Sequence, residues 1–114
     1  MATSSQFLYQ LVVYTPVDAA DRVREAIGKA GAGKMGAYDL CSFSSRGTGR
    51  FRPLDGAHPA IGTVGKMEEV EEERIEVIVT EEFVKPVLKE LKKAHPYEEP
   101  AIVLFPITRY QDLL

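Results

Sequence analysis

The chain has 114 residues, room for one hydrophobic core but not for two, so a single domain over 1–114 is expected. With 45% hydrophobic and 27% charged residues it has the composition of a folded globular chain, and its net charge of -3 argues against a general binder of phosphate backbones, so no nucleic-acid partner is expected. One cysteine excludes an internal disulfide; Met1 to Gln6 lacks a basic export signal and no apolar run approaches about 18 residues, so no membrane partner and a cytoplasmic location are expected, with the nucleus left open.

Phe7 to Thr15 (FLYQLVVYT) is aromatic, β-branched and aliphatic, and Pro16 ends it, which predicts a strand. Phe7, Tyr9, Leu11 and Val13 point to one face and Leu8, Val12 and Tyr14 to the other, so both faces need cover. Asp18 is the expected N-cap of a helix carrying Val23, Ala26, Ile27 and Ala30 at helical spacing, with Gly31 as its stop.

Gly31 to Gly36 (GAGKMG) matches the glycine spacing of a dinucleotide loop, and Gly28 to Met35 nearly matches a phosphate-binding loop. Such loops follow a strand and open a helix, whereas these glycines follow a helix, so they are predicted to cap and turn the chain. Tyr38 to Pro53 is predicted as one long bent strand in which Gly47 and Gly49 permit a bulge or a close backbone approach. Arg46, Arg50 and Arg52 fall on one face of it, a row that is either simply solvated or turned toward an anion. The Gly- and Pro-rich stretch Leu54 to Lys66 reads as a hairpin tip and holds a His-Pro pair, His58-Pro59.

Glu68, Glu69, Glu71, Glu72 and Glu73 form an acidic run that is either simply solvated or able to attract a cation, since oxygen ligands suit hard ions, with a strand starting at Arg74. In that strand Ile75, Val77 and Val79 face one side while Arg74, Glu76 and Ile78 face the other. A second helix is predicted to begin near Glu82 to Lys85, with Pro86 in its first turn and Val84, Val87, Leu88, Leu91 and Ala94 along one stripe. His95-Pro96-Tyr97-Glu98-Glu99-Pro100 then stops the helix. Its prolines make a stiff connector that brings an imidazole, a phenol and two carboxylates beside the last strand, Ala101 to Ile107.

The order strand, helix, strand, strand, helix, strand predicts an α+β, ferredoxin-like βαββαβ sandwich whose antiparallel sheet carries two helices on one face. The first and last strands are apolar on both sides, so copies of the chain are expected to pack through the second sheet face with three-fold symmetry, as a homotrimer.

Gly33, Gly36, Tyr38-Asp39, Cys41-Ser42-Phe43, Gly47-x-Gly49-x-Phe51-Arg52-Pro53, Pro59-x-Ile61-Gly62, Val70-x-Glu72-x-Arg74-Ile75-Glu76 and His95 to Pro100 resemble the insert domain of the NIF-three-like, YqfO-type family over about residues 7–107. That insert is similar to the PII signalling proteins and to CutA, the divalent-cation tolerance protein, which implies a trimer-forming unit with ligands held between subunits. The resemblance places the dinuclear metal centre of the larger proteins in the domain surrounding the insert, and this chain has no corresponding His-rich motif. His58 stands where the family often has Asn, either in a variable loop or as an added ligand.

These readings converge on a non-enzymatic, self-associating binding or regulatory module. Tyr38, Arg52 and Tyr97 are the expected ligand-binding residues and His95 with Glu98 the expected divalent-metal pair; no catalytic residue and no other cofactor is assigned. The alternatives are a metal-dependent, hydrolase-like enzyme with His95 as acid or base, and a purely structural assembly domain.

Overall fold

Most of the breaks expected from proline and glycine fall close to element boundaries in the computed structural model, which describes residues 7–114. The opening residues, on which the expectation of no export signal rests, lie outside the described residues. Strand β1 (Leu8–Pro16) closes on its proline and a short 3-10 turn (Val17–Ala19) leads into helix α1 (Ala20–Ala30). Strands β2 (Phe43–Phe51) and β3 (Glu68–Thr80), helix α2 (Glu81–Ala94) and strand β4 (Ile102–Ile107) follow. No helix among the described residues is long and apolar enough to cross a membrane.

The sheet order is β2-β3-β1-β4 with every pair antiparallel, so the first and third strands lie centrally, as the ferredoxin-like reading requires, and the wholly apolar β4 forms an edge. Leu11, Val13, Ile75, Val77 and Val79 supply one sheet face, and Val23, Ile27, Val87 and Leu91 of the two helices close over it. Each such aliphatic side chain contributes about 1.5–3 kcal/mol by leaving water. Val12 projects to the opposite face and is also buried, flanked in register by Glu76 and Val103. Elsewhere that face is open: Phe43, Val103 and Phe105 are 66%, 41% and 47% exposed.

Four expectations need correction. The second strand starts at Phe43 rather than Tyr38, because the chain first makes a turn in which Met35 and Tyr38 bridge each other. Asp18 lies in the 3-10 turn and caps nothing; Ala19 holds the N-cap position of α1. Helix α2 begins at Glu81, which puts Pro86 inside it, beyond the first turn. The missing N–H removes one internal hydrogen bond, and the wholly buried Val87 and Leu91 hold the helix against the sheet regardless.

The fourth correction concerns the glutamates, which are strand residues and not a solvated preface. Arg46 and Arg50 stand opposite Glu73 and Glu69 in the β2–β3 register, with side-chain separations of 3.9 and 3.0 Å, and Arg24 of α1 also bonds Glu73. Arginines on the neighbouring strand offset two of the five like charges, at Glu69 and Glu73, and so ease the strand pairing. The pairing of β3 with β1 ends at Glu72, so residues 68–71 pair with β2 alone and form a ribbon that projects from the sheet. The molecule therefore measures 55 × 24 × 24 Å, with a radius of gyration of 15.9 Å where about 13 Å is usual for a chain of this size.

The glycine stretch after α1 acts as structure. Gly33 donates its amide to Ile78 (2.8 Å), accepts from the Cys41 amide (2.9 Å) and has φ +83. A Cβ there would stand 2.5 Å from the Cys41 carbonyl oxygen. Gly33→Ala is accordingly expected to lower stability by about 2–4 kcal/mol in urea unfolding, from backbone strain added to overlap; an unchanged midpoint would contradict this role.

Candidate functional site

The connector after α2 is tied to the sheet by the imidazole of His95. Pro96 forces His95 out of helical space, to φ -75 and ψ 133, and the ring turns inward to become 6% exposed. Its Nε2–H donates to the Tyr14 carbonyl of β1 (2.7 Å) and its Nδ1 accepts the Tyr97 amide (3.1 Å). Two bonds of opposite sense fix the neutral Nε2–H tautomer. Burial lowers the pKa of His95 from 6.5 and Arg22 on α1 acts in the same direction, against the Tyr14 carbonyl and the Glu72 carboxylate, which favour the cation.

Tyr97 carries the link onward. Its ring lies 5.2 Å from that of His95 and meets Phe51 edge-on at 5.6 Å, and its hydroxyl donates to Glu72 Oε2 (2.8 Å). Burial first, then the bond to Glu72, raises the phenol pKa well above its ordinary value, so Tyr97 stays a donor. Glu72 is 8% exposed, and the position a Cβ of Gly49 would take is filled by its carboxylate. The glycine anticipated as a place of close approach thus makes room for a side chain.

These groups stand at the edge of a cleft of about 710 Å³ between the β2–β3 ribbon, the 53–61 loop and the connector. Arg52, Tyr97 and Glu98 line it, so three of the five expected site residues come together. Tyr38 does not: it is 76% exposed in the α1–β2 turn and is absent from the wall. His95 lies behind Tyr97, and Glu98 Oε1 accepts the His58 amide (3.0 Å), bracing the loop against the connector. A metal at His95 would have to displace one of its two bonds, and a substrate would find neither nitrogen free. Among the described residues, no group of three or more His, Cys, Asp or Glu side chains is placed to hold a metal ion. Arg46 and Arg50 are held by β3 glutamates, which leaves Arg52 as the member of the arginine row with no ion pair among the described residues. Sequence reasoning offered Glu72 only as a member of the acidic run and of a family motif, and did not place it at the site. Its signal was the register of Glu72 with Gly47 and of Val70 with Gly49, which leaves space beside the strand for a carboxylate.

No family model matches the chain. It is 48% identical over 112 residues to a GTP cyclohydrolase 1 type 2 homolog of Halalkalibacterium halodurans, a match that takes in 98% of this chain and 30% of that protein. The chain thus spans less than a third of the length of this curated relative. Among solved structures, a Bacillus cereus protein related to NIF3 superposes with a TM-score of 0.82 at 41% identity, covering 96% of this chain and 28% of that one. The divalent cation tolerance protein CutA1 of Thermus thermophilus superposes with a TM-score of 0.65 over 94% of both chains at 21% identity, a likeness of fold.

The pKa of His95 fixes the sign of an acid response. Because the folded value lies below 6.5, the unfolded chain takes up this proton first on acidification. Stability should be full above about pH 6.5 and fall as the pH drops toward the lowered folded value, with no further loss from His95 below it. Urea midpoints between about pH 7.5 and 5 check this. His95→Gln should flatten that slope and lower stability by about 2–3 kcal/mol, since it strands the Tyr14 carbonyl or the Tyr97 amide.

Proposed function

Because the chain belongs to the NIF3-related family, matching one segment of its longer members, we propose that it is a self-associating binding module and not itself a catalyst. Copies pack through the open sheet face, as a homotrimer, and the cleft beside Tyr97 holds a small ligand at or near the contact between them. The observation that carries the reading is the open face itself. Phe43 and Val103 flank the Glu76–Val12 register line, with Phe105 and the half-buried Ile78 on the next one, so apolar side chains run across all four strands of one surface. A surface of that kind is rarely left to water.

The projecting ribbon gives a second reason. Two strands without a third are marginal in water, and this pair ends in a loop that exposes Leu54, Val64 and Met67. A neighbouring copy supplies the missing surface. The CutA likeness supports the fold of such an assembly. The wall of the cleft offers charge, hydrogen bonds and aromatic faces for recognition, while the histidine beside it is fully engaged in holding the connector. Cyclohydrolase chemistry belongs to the name of a protein more than three times as long as the matched segment, and the hydroxyl–carboxylate pair in the cleft wall, Tyr97 with Glu72, has a phenol whose raised pKa suits a donor and not a nucleophile.

Sedimentation equilibrium on the purified chain is expected to give three times the chain mass at micromolar concentration. Phe105→Asp should reduce it to a single chain mass while the circular dichroism spectrum is retained, because Phe105 lies outside the buried core. Single-chain mass for the unaltered protein at all concentrations would overturn the proposal.

A further inference from the structure

Glu72 has one hydrogen-bond donor, the Tyr97 hydroxyl, and no ion pair among the described residues. Glu72 as a residue is only 8% exposed, and a charge so shielded is ordinarily matched by an opposite charge or by several donors. Glu69 and Glu73 of the ribbon have arginine partners, whereas Glu72 turns to the opposite face and lines the cleft. Its Oε2 is taken by Tyr97; its Oε1 makes no hydrogen bond among the described residues and, since no buried side-chain oxygen there is left unpartnered, opens to the cleft.

The rest of the wall suits a positive charge. Three aromatic residues, Tyr14, Phe51 and Tyr97, line the cleft, and aromatic faces attract ammonium and guanidinium groups. The arginines that line it are mostly occupied: Arg46 and Arg50 pair with Glu73 and Glu69, and Arg74 with Glu76 at 3.5 Å. The remaining charges are Arg52 against Glu72, Glu98 and Glu99, an acidic balance. A bare metal ion fits less well, since it needs several oxygen ligands in one place and no such group is assembled among the described residues.

We infer that the cleft takes a small organic cation whose ammonium or guanidinium group sits on the Glu72 carboxylate beside the aromatic wall. This rests on the reading of the cleft as a binding site and names the class of ligand that it accepts. Tyr97 is then the element that aims Glu72, and Gly49 the gap that lets the carboxylate lie across the ribbon.

Titration calorimetry with agmatine and methylguanidine, alongside acetate, inorganic phosphate and Mn(II), tests it on the full chain, with sedimentation of the same samples. Agmatine is expected to bind and the two anions not to. Glu72→Gln, which keeps an oxygen for the Tyr97 hydroxyl, should weaken agmatine binding at least about tenfold, with a melting temperature equal to or above that of the unaltered protein. Failure of the cations to bind an assembled protein would overturn this inference and leave self-association standing. Equal binding by Glu72→Gln, binding of only Mn(II) or phosphate, or a lower melting temperature for Glu72→Gln would overturn it too. A monomeric sample that binds agmatine through Glu72 would support it while removing the self-association reading.

Discussion

A four-stranded sheet with both of its helices on one side has a second side that the described residues cover only in part, and most of this molecule's character follows from that. On the covered side Leu11, Val13, Ile75, Val77 and Val79 are buried to 5% exposure or less. On the other, the centre is sealed at Val12 while the flanks at Phe43, Val103 and Phe105 stand open. Burial of apolar area drives folding and association by the same physics, so a surface that continues the core outward is an invitation to a second copy. The ribbon extends this asymmetry, since residues 68–71 pair with β2 alone and only the connector, through Tyr97 on Phe51, reaches across to it.

The connector after α2 belongs to the same frame. Pro96 stops the helix, the His95 ring locks onto the carbonyl of Tyr14 in the central strand, and the amide of Tyr97 locks onto the ring. The phenol is thereby held over the ribbon, where it meets Phe51 and Glu72. A chain of single contacts joins a central strand to the wall of the cleft. Its residues come from β1, β2, β3 and the connector, so the site exists only when the sheet is formed. Local sequence could supply the parts but not the pairing.

That distinction explains what was legible beforehand. Strand and helix order could be read because Pro16, Gly31 and the His95-Pro96 pair are strong stops and because Ile75, Val77 and Val79 alternate cleanly. The acidic run was misread because like charges in a row repel, and the arginines that ease the repulsion lie more than twenty residues earlier at Arg46 and nearly as far at Arg50. The start of β2 was placed too early because Tyr38 and Leu40 have strand-like side chains, although Leu40 in fact adopts φ +57 within the turn. Of the residues singled out by their chemistry, Arg52, Tyr97 and Glu98 line one cleft. The structural engagement of His95 was not, because a histidine before a proline reads the same whether its nitrogens face a ligand or the backbone. Glu72 was hidden inside the charge run, and only the strand register separates it from the glutamates on the opposite face.

The central claim is that the open sheet face is covered by another copy. The chain contains no tryptophan, so Phe105→Trp places a single fluorescent reporter on that face. The account predicts blue-shifted emission, shielded from soluble quencher, at micromolar concentration, with a shift to the red on dilution as copies separate. Red-shifted, freely quenched emission at every concentration would contradict it.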